Sequence, residues 1–80
     1  MSPLSIPQPL TSFAKGVVVT LSFLAHAPAE VQRLRDLGIR EGNVVQILKN
    51  AEALVCMVES SRIVLRREVA MQVFGVVQPA

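Results

Sequence analysis

Residues 30–48 read EVQRLRDLGIREGNVVQIL, and this stretch decides the fold of the chain. Val31, Leu34 and Leu37 recur every third residue, so they lie along one face of a short helix. Gly38 follows, at the position where a helix commonly ends in a left-handed residue that glycine adopts without strain. The sequence therefore predicts a helix that stops abruptly at Gly38.

The residues after Gly38 turn the chain and begin a strand. Ile39 stands where a C-terminal cap places an apolar contact back onto the helix. Residues 40–42 form a tight turn that ends in Gly42, and residues 43–48 are rich in the aliphatic and β-branched side chains that favour a strand. The two glycines therefore fix the angle between helix and strand.

The rest of the chain contains short strand-like segments with polar connections between them. With the segment above, the predicted strands span residues 17–24, 43–48, 54–59, 62–65 and 72–77. Ser60 and Ser61 form a connection short enough for a hairpin turn, and residues 66–71 favour one short helical turn. A chain of 80 residues fills only one small core, so we expect a single antiparallel sheet that curls into a barrel.

The sequence thus predicts an all-β fold with one short helix, a small SH3-like barrel of about five antiparallel strands. The helix is inserted between strands 1 and 2, and an OB-type barrel is the second choice. Residues 1–9 contain prolines at positions 3, 7 and 9 and are expected to form a flexible N-terminal arm. Residues 10–78 are expected to form the single domain.

Composition limits the classes of function. Hydrophobic residues make up 51% of the chain, so we expect some of them to stay exposed or to contact a partner, including a second copy in a homo-oligomer. The single cysteine excludes an internal disulfide and suits a reducing cytoplasm. The most membrane-like run, residues 16–29, is too short and too polar to span a bilayer, so no direct membrane insertion is expected.

Catalytic groups are scarce in this sequence. The only histidine is His26 and the only cysteine is Cys56, which lies in an apolar strand where a buried, inert thiol is expected. No pair of carboxylates and no glycine-rich phosphate loop is evident. The sequence therefore predicts that the protein is not an enzyme.

One binding function, a metal site, stays open as an alternative, and a second, an RNA-binding barrel, is disfavoured by the residues. His26 and Glu30 stand four residues apart, and they would share Fe²⁺ or Zn²⁺ if the helix began at His26. Two ligands make a weak site, so it would need a second chain or open coordination. An RNA-binding barrel would use the dispersed arginines, but Phe13, Phe23 and Phe74 occupy positions typical of a core, so no nucleic-acid partner is expected.

Three motifs, in order along the chain, resemble those of the FeoA family, small cytoplasmic proteins of ferrous iron uptake. PLTSFAKG at residues 9–16 is similar to the family's opening Leu-x-x-Leu-x-x-Gly. RLRDLGIREG at residues 33–42 resembles its Arg-Leu-x-x-Leu-Gly-[Ile/Leu]-x-x-Gly signature, and IVLRREVA at residues 63–70 resembles its closing Leu-x-Leu-Arg-x-x-x-Ala turn. The residues given structural roles on this basis are Gly16, Leu34, Leu37, Gly38, Ile39, Gly42 and Leu65.

The resemblance implies an SH3-like barrel without established catalysis, located in the cytoplasm. It also implies a non-catalytic accessory role with one partner, the cytoplasmic GTPase part of the FeoB membrane iron transporter. The loop at residues 49–53, KNAEA, departs from the Gly-Asp-Pro-like turn common in the family. We expect the docking surface on the exposed side of the helix and turn, at Arg33, Arg35, Asp36, Arg40 and Glu41.

Overall fold

The structure, a computed structural model, describes residues 6–77. The first five residues of the predicted arm, and residues 78–80, lie outside the described residues. In chain order the elements are β1 (Gln8–Pro9), a 3-10 helix (Leu10–Ser12), β2 (Val18–Leu24), α1 (Pro28–Asp36), β3 (Val44–Asn50), β4 (Ala53–Val58), β5 (Ser61–Arg66), α2 (Arg67–Ala70) and β6 (Val73–Val77).

The strands form one antiparallel sheet in the order β1-β6-β2-β3-β4-β5. The predicted all-β fold is confirmed, with α1 between the first two long strands and a short helical turn after β5. A sixth strand adds to the expected five, because Gln8 and Pro9 pair with Gly75 and Phe74. Proline is tolerated in β1 because an edge strand does not need every backbone donor.

The strands at the two edges, β1 and β5, carry the helical turns that come together at the open side of the sheet. The 3-10 helix follows β1 directly, α2 follows β5, and the two lie against each other. The gap between the edges is thus bridged by helical turns, while the inward faces of the strands build one core. Its fully buried large side chains are Leu10, Val19, Leu34, Ile39, Val45, Ile47, Leu54, Cys56, Val58 and Val73.

The prediction that Phe23 lies in the core is wrong, because a β-bulge in β2 turns its side chain outward. The pairing of β2 with β6 shifts register between Leu21 and Phe23, because Leu21 pairs with Gly75 and Phe23 with the next residue back, Phe74. A bulge inserts an extra residue and breaks the two-residue alternation of a strand. Leu21 is therefore buried, whereas Phe23 is 44% exposed and stacks on Phe74 with ring centroids 4.6 Å apart.

The β4–β5 hairpin turn begins one residue earlier than expected. Its two central residues are Glu59 and Ser60, with φ of 50° and 69°, instead of Ser60 and Ser61. Two left-handed residues form a type I′ turn, whose twist matches that of the flanking strands. This register keeps Val58 and Leu65 in the core, and the free energy gained by burying them fixes the position of the turn.

Gly75 in β6 is required by a close approach between strands. A Cβ atom at this position would lie 2.5 Å from Cγ1 of Val19 and 2.6 Å from the carbonyl oxygen of Thr20. Such distances are well inside van der Waals contact, so a larger residue would push β2 and β6 apart. The spacing of glycines in the sequence gives no sign of this constraint.

Candidate functional site

The end of α1 is held by a Schellman cap. The N–H of Gly38 donates to the carbonyl of Arg35 over 2.9 Å, and the N–H of Ile39 donates to the carbonyl of Leu34 over 2.9 Å. Gly38 has φ of +96°, and Leu34 and Ile39 are both buried in the core. This pairing of bonds and apolar residues is the motif that the sequence predicted.

The turn after the cap is tied to the β4–β5 hairpin by a polar network around Glu59. Arg40 Nη2 donates to Glu59 Oε2 over 2.8 Å, and Asn43 Nδ2 donates to the same oxygen over 3.1 Å. The amide of Asn43 also lies 2.6 Å from the carbonyl oxygen of Gly38. Sequence reasoning missed Asn43 and Glu59, because their partners are 16 and 19 residues away along the chain.

All five predicted docking residues are exposed, and we call the end of α1 and the turn that carry them the turn surface: Arg33, Arg35, Asp36, Arg40 and Glu41. Each has a partner within the chain. Arg35 lies 2.9 Å from a carboxylate oxygen of Glu41, Arg33 pairs with Glu30, and Asp36 accepts from Gln32 over 3.0 Å. Ion pairs this exposed stabilise a fold by about 1 kcal/mol at most, so a charged partner can replace them at low cost.

A groove of about 400 Å³ lies beside the turn surface, between α1 and β5. Its residues are Glu30, Arg33, Leu34, Leu37, Val64, Leu65, Arg66 and Val69. Leu37, which the sequence placed on the same helix face as Leu34, is 44% exposed there, and Val64 is 63% exposed. The exposed aliphatic side chains on both walls thus stand among the charged side chains of Glu30, Arg33 and Arg66.

The two candidate metal ligands have other partners in the structure. His26 lies half-buried with Nε2 2.8 Å from the carbonyl oxygen of Val69, which makes this nitrogen the donor. Its Nδ1 is buried without a hydrogen-bond partner among the described residues. Glu30 pairs with Arg33. Within residues 6–77 no three His, Cys, Asp or Glu side chains are grouped so that they could hold a metal ion.

A second polar network has a structural role that the sequence did not reveal. Arg67 Nη1 donates to Asn50 Oδ1 over 2.6 Å and to the carbonyl of Ala51 over 2.7 Å. The amide of Asn50 donates in turn to the carbonyls of Thr11 and Phe13 over 3.0 and 2.8 Å. These bonds join the end of β3 to the 3-10 helix and α2, at the open side of the sheet.

Cys56 is fully buried in β4, as the sequence predicted. Burial raises the pKa of its thiol from 9.0 to about 11, because the thiolate would lose its hydration. The thiol is therefore protonated and unreactive at neutral pH. None of the helices within the described part of the chain is long and apolar enough to cross a membrane.

Comparison with known proteins identifies the family. The family model described as the FeoA domain matches residues 8–77. The fold is similar to a crystal structure titled iron uptake regulatory protein (FeoA), with a TM-score of 0.83 and 17% identity over 91% of this chain and 100% of that one. It is also similar to the FeoA protein of Chlorobium tepidum, with a TM-score of 0.83 and 20% identity over 90% of this chain and 71% of that one.

A third similar structure comes from a different kind of protein. A manganese-dependent transcriptional repressor aligns with a TM-score of 0.84 and 16% identity, over 98% of this chain and 45% of that one. No curated protein sequence matches the chain. The family match spans nearly all described residues, and the structural neighbours confirm the predicted SH3-like fold. The chain therefore belongs to the FeoA domain family.

Proposed function

We propose that this protein is a non-catalytic, cytoplasmic accessory protein of ferrous iron uptake that binds and regulates the cytoplasmic GTPase part of a FeoB-type transporter. The observation that carries the proposal is the FeoA-domain match over residues 8–77. Membership of that family implies an accessory role in ferrous iron transport. The single cysteine is buried and protonated, and the single histidine donates to a backbone carbonyl, so the described residues favour binding over catalysis.

The turn surface is the proposed docking site. Its backbone is fixed by the Gly38 cap, and Arg40 is held by the Glu59 network, so less conformational entropy is lost when a partner binds. Arg40 connects both, because it donates to Glu59 and to the carbonyl of Arg35. Charges at such a surface steer the partner and select its orientation. Leu37 adds an apolar contact beside them.

Calorimetric titration with a purified FeoB cytoplasmic domain tests the proposal. We expect saturable binding by the wild type and at least about tenfold weaker binding by Arg40→Glu, because the variant reverses a charge and repels Glu59. Lys15→Glu is the matched control, since Lys15 is exposed and lies outside the turn surface. Absence of binding by the wild type would contradict the proposal. Equal affinity of Arg40→Glu and the wild type would place the docking site elsewhere.

A transition-metal-binding regulatory module, in a homodimer or alone, is the second candidate. The Nδ1 of His26 favours it, because this buried ring nitrogen has no hydrogen-bond partner among the described residues and a metal would satisfy it. A second copy would have to complete the ligand set, since Glu30 is paired with Arg33. Titration with Fe²⁺ and Zn²⁺, with light scattering for oligomeric state, should show heat that His26→Ala abolishes. Identical, heatless titrations of both proteins would remove this candidate.

A further inference from the structure

One edge of the sheet has backbone and charge properties that the proposed function does not use. Among the described residues, β5 pairs only with β4, so its other side is a free edge. We propose that this edge is a strand-addition site for an extended acidic segment of another protein, in which two carboxylates flank an apolar residue. The proposal goes beyond the accessory role above and does not depend on it.

The hairpin register determines which backbone groups point outward. Val58 and Ser61 flank the two-residue turn and exchange hydrogen bonds, and pairs along an antiparallel ladder alternate between bonded and non-bonded. Ile63 and Leu65 therefore bond to β4, while the N–H and C=O groups of Arg62 and Val64 face the free edge. The N–H of Arg66 also faces outward, whereas its carbonyl begins α2. An incoming strand thus finds donors and acceptors in the spacing that it needs.

The side chains of the same three residues carry an unpaired positive charge on each side of an apolar one. Arg62, Val64 and Arg66 are all exposed. No carboxylate in residues 6–77 pairs with Arg62 or Arg66, in contrast to Arg33, Arg35 and Arg40. Opposite charges on directly facing residues of neighbouring strands attract, so carboxylates on the incoming strand complement this edge.

The groove between α1 and β5 receives the other face of the incoming strand. Side chains alternate along a strand, so the second and fourth residues of the segment point to the face opposite to the carboxylates, and the third lies beside Val64. Leu34, Leu37 and Val69 line this groove, together with Val64 and Arg66 at the free edge. The matching segment therefore has acidic residues at its first and fifth positions and apolar residues at the three positions between them.

A second copy of this chain is a poor occupant. In an antiparallel pairing of two β5 strands centred on Val64, Arg62 of one copy faces Arg66 of the other. In a parallel, in-register pairing each arginine faces its own equivalent. Like charges directly opposite each other destabilise a sheet, so the arginines protect the edge from self-association and select an acidic partner.

Fluorescence anisotropy with the full chain and a designed peptide tests the proposal. The probe is a fluorescein-labelled Gly-Glu-Leu-Val-Leu-Glu-Gly peptide, and the control peptide has lysine in place of both glutamates. We expect saturable binding of the acidic peptide, and about tenfold or more weaker binding of the lysine peptide. The double variant Arg62→Glu, Arg66→Glu should reverse this preference. Equal binding of the two peptides, or an unchanged preference of the double variant, would overturn the proposal.

A proline substitution separates strand addition from simple charge attraction. Val64→Pro removes an outward N–H that bonds to no group among the described residues, so the domain should keep its circular dichroism spectrum. The same substitution should abolish binding of the acidic peptide, whereas Val64→Thr, which keeps the N–H, should bind like the wild type. Undiminished binding by a folded Val64→Pro would contradict strand addition. Neither result with the peptides bears on binding of the FeoB domain, so each of the two proposals can fail while the other stands.

Discussion

The turn after α1 and the outer edge of β5 are both exposed and rich in arginine, yet they differ in how their polar groups are used. At the turn, Arg35 and Arg40 pair with Glu41 and Glu59, and the Gly38 cap occupies the backbone donors. On β5, Arg62 and Arg66 have no carboxylate partner among the described residues. The arginines of the turn thus pair with nearby carboxylates, whereas the arginines spaced along the edge strand β5 are available to a partner.

The largest loss of stability should appear when Gly38, the glycine at the cap, is replaced. Gly38→Val forces a β-branched residue into φ of +96° and brings its Cβ 3.0 Å from Cγ1 of Val58. We expect a loss of about 3–5 kcal/mol in the free energy of unfolding, measured by urea denaturation.

Gly42→Val is the matched control for the Gly38 variant. Gly42 has φ of +86°, but a Cβ there would meet no atom within 4 Å. We expect a smaller loss of about 1–3 kcal/mol, from backbone strain alone. Equal losses in the two variants would show that the contact with Val58 adds nothing to the role of Gly38.

Alkaline pH should lower the free energy of unfolding through a group on the inner face of the β4–β5 hairpin, in contrast to its outer edge. The pKa of the buried Cys56 thiol is raised to about 11. The folded state thus keeps a proton that the unfolded state loses, so this stabilisation is complete below pH 9 and is lost as pH rises through about 11. The expected loss is about 2–3 kcal/mol, and Cys56→Val should not show it. Parallel pH profiles of both proteins would contradict the burial of the thiol.

Charge reversal should have a small effect at the turn and almost none on β5. Arg40→Glu breaks the pair with Glu59 and places two carboxylates together, so we expect a loss of about 1 kcal/mol. Arg62→Glu breaks no ion pair within residues 6–77, and its effect should stay within about 0.5 kcal/mol. The exchange Arg40→Glu with Glu59→Arg should recover part of the loss. Indistinguishable unfolding curves of Arg40→Glu and Arg62→Glu would erase the contrast between the two regions.

The sequence predicted the turn well because its structure is decided by near neighbours. The apolar spacing of α1, the glycine after it and the buried Ile39 lie within nine residues, from Val31 to Ile39, so local rules describe them. The position of Phe23 was wrong because a bulge depends on the pairing of β2 with a strand some 50 residues away. The partners of Arg40 and the free edge of β5 likewise follow from topology, which no local pattern encodes.

The most direct test of the contrast is amide hydrogen exchange of the full chain, followed residue by residue by NMR. We predict slow exchange for the N–H groups of Gly38 and Ile39, which donate within the cap, and for Leu65, which bonds to β4. The N–H of Val64 should exchange within about tenfold of an unstructured peptide, because no group in residues 6–77 accepts it. Exchange at Val64 as slow as at Leu65 would contradict the free edge and, with it, the difference between the two regions.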